Sequence, residues 1–254
     1  MSDQGPVSRE TPPTPSSARG VFPVRRVELA ERYVAWLGAD GTERGLIGPR
    51  EVERLWERHV LNSAVVGEWI EDGRTVADVG SGAGLPGIPL ALARPDLRVT
   101  LVEPLLRRAT FLQEVVEDLG LDVEVVRARA EELHGERSFD VVTSRAVAPL
   151  DRLASWCMPL VARGGAMVAL KGSSVEEEIV EHQSTLSRHG AGAAEARRLG
   201  SGVLDDPTWA VRVAWLGEPQ VSWRPARGSQ KRRGPRSVGG RAGTQRSGRR
   251  KGTR

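Results

Sequence analysis

Between residues 75 and 216, apolar runs of strand length alternate with longer stretches whose apolar positions recur at helical spacing. The strand-like runs cover residues 75–79, 98–103, 123–127, 139–144 and 166–171, and the helical stretches between them cover residues 85–93, 105–119, 149–159 and 174–188. Two further runs, 195–199 and 210–216, predict a closing antiparallel pair. This alternation is typical of an α/β protein, and it predicts a mostly parallel seven-stranded sheet with helices on both faces.

Ahead of this region, two helices predict an N-terminal cap over residues 23–72. In the first, residues 24–38, one stripe is apolar and consists of Val27, Ala30, Val34 and Leu37. The second begins at Pro49, a favoured first helical residue, and extends to about Ile70. We expect this cap to lie beside a substrate cleft of the α/β domain, residues 73–217.

Both ends of the chain differ in composition from the middle. Residues 1–22 are rich in Pro, Ser and Thr and predict a disordered extension, and residues 218–254 predict a basic disordered tail. Twelve of the 37 Lys and Arg residues, and none of the 33 Asp and Glu residues, lie in residues 224–254, so the rest of the chain has a net charge of −8. Such a tail binds phosphate polymers by counterion release, which indicates nonspecific contact with RNA.

Several classes of protein are disfavoured by composition. Cys157 is the only cysteine, so no internal disulfide or Cys-x-x-Cys metal site is expected. The four histidines are scattered without metal-ligand spacing, and no apolar run reaches the roughly 20 residues that span a bilayer. The N-terminus has no apolar stretch of secretory type. We therefore expect a cytoplasmic protein, a monomer, with no metal and no membrane partner.

The strongest local signal is a glycine-rich turn between the first strand and the helix after it. Asp78 lies near the end of the strand, one residue before Val79, and Gly80, Gly82 and Gly84 follow at alternate positions before Leu85. Glycines let a ligand approach the backbone closely, and the following helix offers unpaired N–H groups. In an open parallel sheet, such a turn lies at the carboxyl edge, where ligands bind.

Two cofactors fit this turn. Gly82, Gly84 and Gly87 match the G-x-G-x-x-G pattern of dinucleotide binding, whereas Asp78 with the three alternating glycines matches the acidic pattern of methyltransferases that use S-adenosylmethionine. An acid suits the cationic amino and sulfonium groups of the latter better than it suits a pyrophosphate. Glu103, at the end of the next strand, is placed to accept from ribose hydroxyls of either cofactor.

Several motifs resemble the GidB/RsmG family of bacterial 16S rRNA (guanine-N7)-methyltransferases. The glycine motif over residues 78–90 is accompanied, in the same order and spacing, by motifs at residues 57–63, 107–112, 129–132, 144–147 and 169–172. The resemblance covers about residues 25–216. It implies a Rossmann-like class I S-adenosylmethionine-dependent methyltransferase fold and, as substrate, a guanine in the decoding-region loop of the small subunit's rRNA.

The resemblance also implies which residues hold the cofactor. Gly80 and Leu85 match binding positions in the glycine loop, Ala130 and Glu131 match the pair beside the adenine, and Arg145 matches a further position. Leu85 departs from the phenylalanine of many members but still supplies an apolar wall.

Independently of the resemblance, Arg145 and Lys171 end consecutive predicted strands at the binding edge. We therefore treat both as catalytic candidates: Arg145 as a contact to cofactor or base, and Lys171 as a contact to a phosphate. His59 and Asn62 share a helix face and either line the cleft or tie the cap to the domain.

Guanine N7 has a lone pair and no proton, so its methylation requires alignment and exclusion of water but no general base. This agrees with a sequence that shows no evident catalytic triad. Three other functions stay open at this point: a small-molecule methyltransferase of the same fold, an NAD-dependent oxidoreductase, and an RNA-binding protein without activity.

Overall fold

The computed structural model describes residues 11–145 and 148–223. Its centre is one seven-stranded sheet with the order β3-β2-β1-β4-β5-β7-β6. The strands β1 to β5 are parallel to one another, and β7 is antiparallel to both β5 and β6. The strands are β1 Thr75–Val79, β2 Arg98–Val102, β3 Val123–Val126, β4 Phe139–Arg145, β5 Val161–Lys171, β6 Glu195–Leu199 and β7 Thr208–Ala214. The predicted fold class, including the closing antiparallel pair, is confirmed.

Helices cover both faces of this sheet. The α-helices of the described residues are α1 Ala18–Val21, α2 Val24–Trp36, α3 Asn62–Ala64, α4 Gly87–Ala93, α5 Leu106–Leu119, α6 Leu150–Cys157 and α7 Val175–Arg188. Short 3₁₀ helices at Ala130–Leu133 and Met158–Leu160 supplement them. None of the described helices combines the length and the apolar composition needed to cross a bilayer.

The side-chain alternation of β1 shows how the two faces are filled. Val76 belongs to a buried cluster that includes residues of the cap, α4 and α5. Ala77 and Val79 point the other way, into a second cluster with Leu150 and Leu153 of α6. A strand that is apolar on both faces is expected in a parallel sheet with two helical layers.

The cap differs from its prediction in the second helix. The first helix, α2, ends at Trp36 and continues as a wide π-turn at Leu37–Gly41. Residues 49–69 form no single α-helix but a succession of 3₁₀, π, α and 3₁₀ turns. The π-helix at Leu55–Leu61 buries two pairs of neighbours five residues apart, Leu55 with Trp56 and Val60 with Leu61. The wider π-turn places side chains five residues apart on the same side of the helix, whereas a regular α-helix would turn them to different sides.

Residues 11–22, part of the extension predicted to be disordered, pack against the cap. Ala18 and Phe22, one helical turn apart, are fully or almost fully buried. The Trp56 indole N–H donates to the Pro12 carbonyl at 3.2 Å and thereby fixes this segment to the cap. The Pro- and Ser-rich composition of the segment gave no indication that Ala18 and Phe22 would be buried. Residues 1–10, residues 146–147 of one family motif and residues 224–254 of the basic tail lie outside the described residues.

The order of the strands determines where a ligand binds. The chain builds the sheet outward from β1 through β2 to β3, then returns to β4 on the other side of β1. In such a sheet, the crevice beyond the carboxyl ends of the strands at this switch point is the ligand site. The glycine turn follows β1 directly and therefore lies at this crevice.

Candidate active site

The glycine turn is held to the neighbouring strand by backbone hydrogen bonds. The Gly80 and Ser81 N–H groups donate to the Val102 carbonyl of β2 at 2.9 and 3.3 Å. Within the turn, the Gly84 N–H donates to the Ser81 carbonyl at 2.7 Å. Gly84 has φ +97°, and a Cβ there would lie 2.4 Å from Cδ1 of Ile88, so only glycine fits. Gly80 has φ +73°, but a Cβ there would meet no atom within 4 Å. The space over Gly80 is thus open to a ligand.

Asp78 lies beneath this turn and is fully buried. Its Oδ2 accepts a 3.0 Å hydrogen bond from the Gly87 N–H at the start of α4. Its Oδ1 is buried without any hydrogen-bond partner among the described residues. Burial raises the pKa of the Asp78 carboxyl to about 7, and the bond from Gly87 opposes this rise only in part. A buried acid with one unsatisfied oxygen is suited to a cationic ligand group.

Glu103 connects the end of β2 to the glycine turn. One carboxylate oxygen accepts from the Gly82 N–H at 2.9 Å, and the other accepts from the Leu105 N–H at 3.0 Å. The side chain is almost completely buried, which was not evident from the sequence. Each oxygen retains a second lone pair. These hydrogen bonds give Glu103 a structural role, because they hold the glycine turn to the segment after β2. The predicted contact of Glu103 with ribose hydroxyls stays a prediction.

A cleft of about 250 Å³ opens at the carboxyl ends of β1 and β2. Its walls bring together three residues predicted to bind cofactor, Gly80, Ala130 and Glu131. Sequence reasoning missed Arg152 and Trp156 of α6, which also line the cleft. The Arg152 guanidinium lies 5.0 Å from the centroid of the Trp156 ring. Their signal was weak because neither belongs to a motif.

Leu85 and Gly82 do not line this cleft. Leu85 is half-buried and packs against the core cluster beside α4. Gly82 has φ +58° and its N–H is taken by Glu103. Both therefore shape the turn, and a direct contact with cofactor stays a prediction for each.

Arg145 ends β4, next to the end of β1. The Ser144 hydroxyl donates to the Val79 carbonyl at 2.8 Å, which fixes this end of β4 against β1. One guanidinium nitrogen, Nη2, donates to the Arg58 carbonyl of the cap at 3.1 Å, whereas Nη1 is buried without a partner among the described residues. Burial lowers the pKa of Arg145 from its usual value. An unsatisfied buried guanidinium N–H is suited to an anionic group.

Lys171 ends β5 but does not reach the cleft. Its ammonium is 2.6 Å from Oε2 of Glu178 on α7 and donates to the Ala148 carbonyl at 2.9 Å. Only 4 % of the side chain is exposed. This geometry makes Lys171 a tie between β5, α7 and the segment after β4. The predicted phosphate contact stays a prediction, and this placement gives it no support.

Tyr33, the only tyrosine of the chain, links the cap to the glycine turn. It is fully buried on α2, and its hydroxyl donates to the Ala83 carbonyl at 2.8 Å. Burial, together with the nearby charge of Asp78, raises the pKa of Tyr33 well above its ordinary value. The sequence did contain a signal for this contact. Tyr33 lies three residues after Ala30 on the apolar stripe of α2, and its hydroxyl is a polar group on a face that is otherwise apolar.

His59 connects two parts of the cap. Its Nε2 lies 3.1 Å from Oε2 of Glu51, and its Nδ1 is buried without a partner among the described residues. Burial, with the charge of Arg145, lowers the pKa of His59 to about 4, so the imidazole is neutral at physiological pH. Asn62 is half-buried at the start of α3. No group of His, Cys, Asp or Glu in the described residues is arranged to hold a metal ion.

This site fits S-adenosylmethionine better than a dinucleotide. The methionyl part of that molecule has an ammonium and a carboxylate, and the two orphaned atoms, Asp78 Oδ1 and Arg145 Nη1, have the complementary charges. A pyrophosphate would meet the Asp78 carboxylate unfavourably. The cleft beside Ala130 and Glu131 offers the space for the adenosine part.

Fold and site together define a Rossmann-like class I methyltransferase. The family model described as "rRNA small subunit methyltransferase G" matches residues 26–202. The chain belongs to this family, GidB. It is accordingly an rRNA methyltransferase whose methyl donor is S-adenosyl-L-methionine.

Curated relatives are similar to this chain over most of their length. A protein named ribosomal RNA small subunit methyltransferase G from Nocardioides sp. (strain ATCC BAA-499 / JS614) is 60% identical over 89% of this chain and 93% of its own. The protein of the same name from Mycobacterium marinum is 51% identical over 91% of this chain and 98% of its own. The crystal structure of a branched-chain polyamine synthase mutein from Thermus thermophilus matches with a TM-score of 0.52 at 17% identity, over 81% of this chain and 67% of that one. That likeness concerns the fold alone.

Proposed function

We propose that this chain transfers the methyl group of S-adenosylmethionine to N7 of a guanine in the decoding-region loop of 16S rRNA. The observation that supports this most directly is that two side chains of opposite charge near the carboxyl ends of the neighbouring strands β1 and β4 each have a buried atom without a hydrogen-bond partner among the described residues, Asp78 Oδ1 and Arg145 Nη1. When bound, the sulfonium supplies an electrophilic methyl group. The residues of the chain have to bind, orient and dehydrate the reactants.

Asp78 accepts from the ammonium of the methionyl group in this proposal. Its Oδ2 already holds α4 through Gly87, so Oδ1 has a fixed direction. Because the Asp78 carboxyl is fully buried, an ion pair with it is stronger than one in water. The same burial makes ionisation of the Asp78 carboxyl unfavourable while no cation is present, and its pKa is therefore raised to about 7.

Arg145 binds the methionyl carboxylate through Nη1, while its Nη2 remains on the Arg58 carbonyl of the cap. Gly80 provides the open backbone approach, and Ala130 with Glu131 borders the adenine. Lys171 acts as a positioning residue, since its ammonium holds Ala148 just beyond β4. In this assignment, the cofactor links the sheet to the cap.

The nucleophile needs no base, because N7 of guanine has a free lone pair at neutral pH. The histidine of the cap, His59, fits this requirement. His59 is neutral and paired with Glu51, and a pKa of about 4 makes it a poor proton acceptor near pH 7. Alignment of nitrogen, methyl and sulfur is worth about 7–11 kcal/mol in well-oriented systems.

Further parts of the proposal concern partners and location. The substrate is rRNA of the small ribosomal subunit, in the cytoplasm where bacterial ribosomes occur, and the enzyme acts as a monomer. Residues 224–254, with twelve basic residues and no acidic one, contact RNA phosphates without sequence preference.

The test uses the full chain with labelled S-adenosylmethionine and small subunits that lack the modification. We expect one methyl group per subunit, located in the decoding-region loop as 7-methylguanosine by chain cleavage after borohydride reduction. Subunits that already contain the modification are the control and should accept no label. Label on another atom, on another rRNA region or only on small molecules would contradict the proposal.

A further inference from the structure

A buried threonine lies between the two side chains to which the methionyl group is assigned. Thr143 of β4 is the register partner of Asp78 in β1 and lies two residues before Arg145. Register partners in neighbouring parallel strands are about 5 Å apart and point to the same face, as do residues two apart in one strand. Asp78, Thr143 and Arg145 therefore form one polar row on the face that the cap covers, where Arg145 reaches the Arg58 carbonyl.

The hydroxyl of Thr143 contributes nothing to packing in this row. Thr143 is fully buried, and its Oγ1 has no hydrogen-bond partner within residues 11–145 and 148–223. Its register partner on the other side, Val168 of β5, is apolar and almost fully buried. Because a buried hydroxyl without a partner is less favourable than a methyl group of the same shape, valine would fill this position better. A role for the hydroxyl therefore has to come from an interaction.

Asp78 Oδ1 is the acceptor that this hydroxyl can serve. It belongs to the register partner, it is fully buried, and it too lacks a partner in the part of the chain that the structure describes. A hydroxyl has one donor and an ionised carboxylate has only acceptors, so the two unsatisfied atoms are complementary. Rotation of Thr143 about χ1 between staggered positions directs the hydroxyl to this oxygen, while Oδ2 stays on the Gly87 N–H.

The other groups around the Asp78 carboxyl are engaged elsewhere. They come from the cap, the glycine turn, the end of β2, α4 and α6, and are Tyr33, Ser81, Glu103, Gly87 and Cys157. The hydroxyls of Tyr33 and Ser81 donate to backbone carbonyls, at 2.8 and 2.9 Å. The oxygens of Glu103 accept from backbone N–H groups, and Cys157 packs in the cluster on the other face of the sheet. Among the described side chains, Thr143 is therefore the one placed to donate to Oδ1.

We propose that Thr143 is a positioning residue for the cofactor, whose hydroxyl donates to Oδ1 of the ionised Asp78 carboxylate and holds it in the orientation that receives the methionyl ammonium. This inference rests on the ammonium contact of Asp78 in the proposed function. A hydrogen bond to a charged carboxylate is roughly twice as strong as one to a neutral group, so the hydroxyl favours the ionised form. It thereby opposes the effect of burial and extends cofactor binding to lower pH.

The experiment removes the hydroxyl and follows the titration of Asp78. Thr143→Val keeps the shape of the side chain without its hydroxyl, and Thr143→Ser keeps the hydroxyl. Thr100→Val is the matched control, because Thr100 is a buried threonine of β2 on the other face of the sheet, where its hydroxyl donates to Glu124 at 3.1 Å. Asp78→Asn is made alone and together with Thr143→Val.

Two measurements are made on each form of the full chain. Carbon-13 NMR of the protein without cofactor follows the Asp78 carboxyl, identified as the resonance that Asp78→Asn removes. Calorimetry from pH 5 to pH 9 gives the affinity for S-adenosylhomocysteine, which has the same methionyl ammonium and carboxylate as the methyl donor.

Thr143→Val should raise the titration midpoint of Asp78 by about one pH unit, the size expected for a lost hydrogen bond to a charged group. Affinity should then fall about tenfold at pH 5 but less than twofold at pH 9, where Asp78 is ionised with or without the hydroxyl. Thr143→Ser and Thr100→Val should keep the wild-type profile. In the Asp78→Asn background, Thr143→Val should change the affinity by the same small factor at every pH.

An unshifted NMR midpoint in Thr143→Val would overturn the proposal, whether or not the cofactor binds. A loss of affinity of equal size at pH 5 and pH 9 would also overturn it, because a structural role or a direct contact with the ligand acts at every pH. If the valine variant does not fold, Thr143→Ala carries the same test. A wild type whose affinity is independent of pH and unaffected by Asp78→Asn would refute the ammonium contact of the proposed function instead.

Discussion

Asp78→Asn is expected to stabilise the protein without cofactor and to weaken cofactor binding. The Asp78 carboxyl has a pKa of 3.8 in a solvated chain and about 7 in the folded protein, because burial disfavours its charged form. Between pH 4 and pH 7 the folded protein therefore holds a proton that the unfolded chain has lost. The stabilising contribution of Asp78 is largest below pH 4 and decreases as the pH rises through 7.

The difference between the two pKa values corresponds to about 4 kcal/mol at pH 8, on the basis of about 1.4 kcal/mol per pH unit. Asparagine has the same shape, can keep the bond from the Gly87 N–H and has no charge to bury. We therefore expect Asp78→Asn to raise the free energy of unfolding at pH 8 by about 2–4 kcal/mol, or Tm by roughly 5–15 °C. At pH 5 the folded Asp78 is neutral but the unfolded one is ionised, so the advantage of the variant should shrink to about 1–2 kcal/mol, and the two proteins should be equally stable only below about pH 4.

Urea unfolding of both proteins at pH 5 and pH 8, without cofactor, measures this difference. Calorimetry with S-adenosylmethionine at pH 8 should show about 10–150-fold weaker binding by the variant, the worth of one charge-assisted hydrogen bond. The wild type itself should bind more weakly as the pH falls below 7, because Asp78 then becomes protonated. A variant that is less stable at pH 8, or that binds the cofactor as tightly as wild type, would refute this reasoning.

Three further substitutions test other parts of the site. Gly84→Ala should cost about 2–4 kcal/mol in urea unfolding, because its Cβ meets Ile88 at a positive φ, whereas Gly80→Ala, which faces open space, should cost about 1 kcal/mol. Arg145→Lys should weaken cofactor binding about tenfold in calorimetry with little change in Tm, since the compact ammonium lacks the two separate nitrogens with which the guanidinium can reach the cap carbonyl and a carboxylate in different directions; an unchanged affinity would remove Arg145 from the cofactor site. Lys171→Met should lower Tm, through about 2 kcal/mol lost with the Glu178 pair, and leave subunit affinity unchanged; a loss of subunit affinity would restore the phosphate contact.

The fold could be predicted because its signals are local and repeated. Strand β1 has the bounds that alternation predicts, Thr75–Val79, and β6 has its predicted bounds, Glu195–Leu199. The strand β5, by contrast, begins at Val161, five residues before its predicted start, because it runs through Gly164 and Gly165, which interrupt the apolar pattern. Glycine pairs are weak strand formers in sequence, and only pairing with β4 decides their conformation.

Within the candidate site, three residues named from the sequence as cofactor-binding, Gly80, Ala130 and Glu131, line the cleft at the ends of β1 and β2. The hydrogen bonds and ion pairs of the other candidates could not be predicted. The position of Glu103 after β2 suggested a ribose contact, yet two backbone N–H groups already hold its carboxylate. The burial of Lys171 depends on Glu178, which only the packing of α7 brings close. Tyr33 reaches the glycine turn across fifty residues of sequence, a distance over which no local pattern is informative.

One titration tests the central claim most directly: that the glycine turn after β1 holds S-adenosylmethionine. Calorimetry should give one site per chain for S-adenosylmethionine and for S-adenosylhomocysteine, and no heat for NADH. Gly80→Val, which fills the open space over the turn, should reduce both affinities at least thirtyfold while the protein remains folded by circular dichroism. Binding of the adenosyl ligands that is indifferent to Gly80→Val, or its absence in the wild type with and without rRNA, would contradict the account.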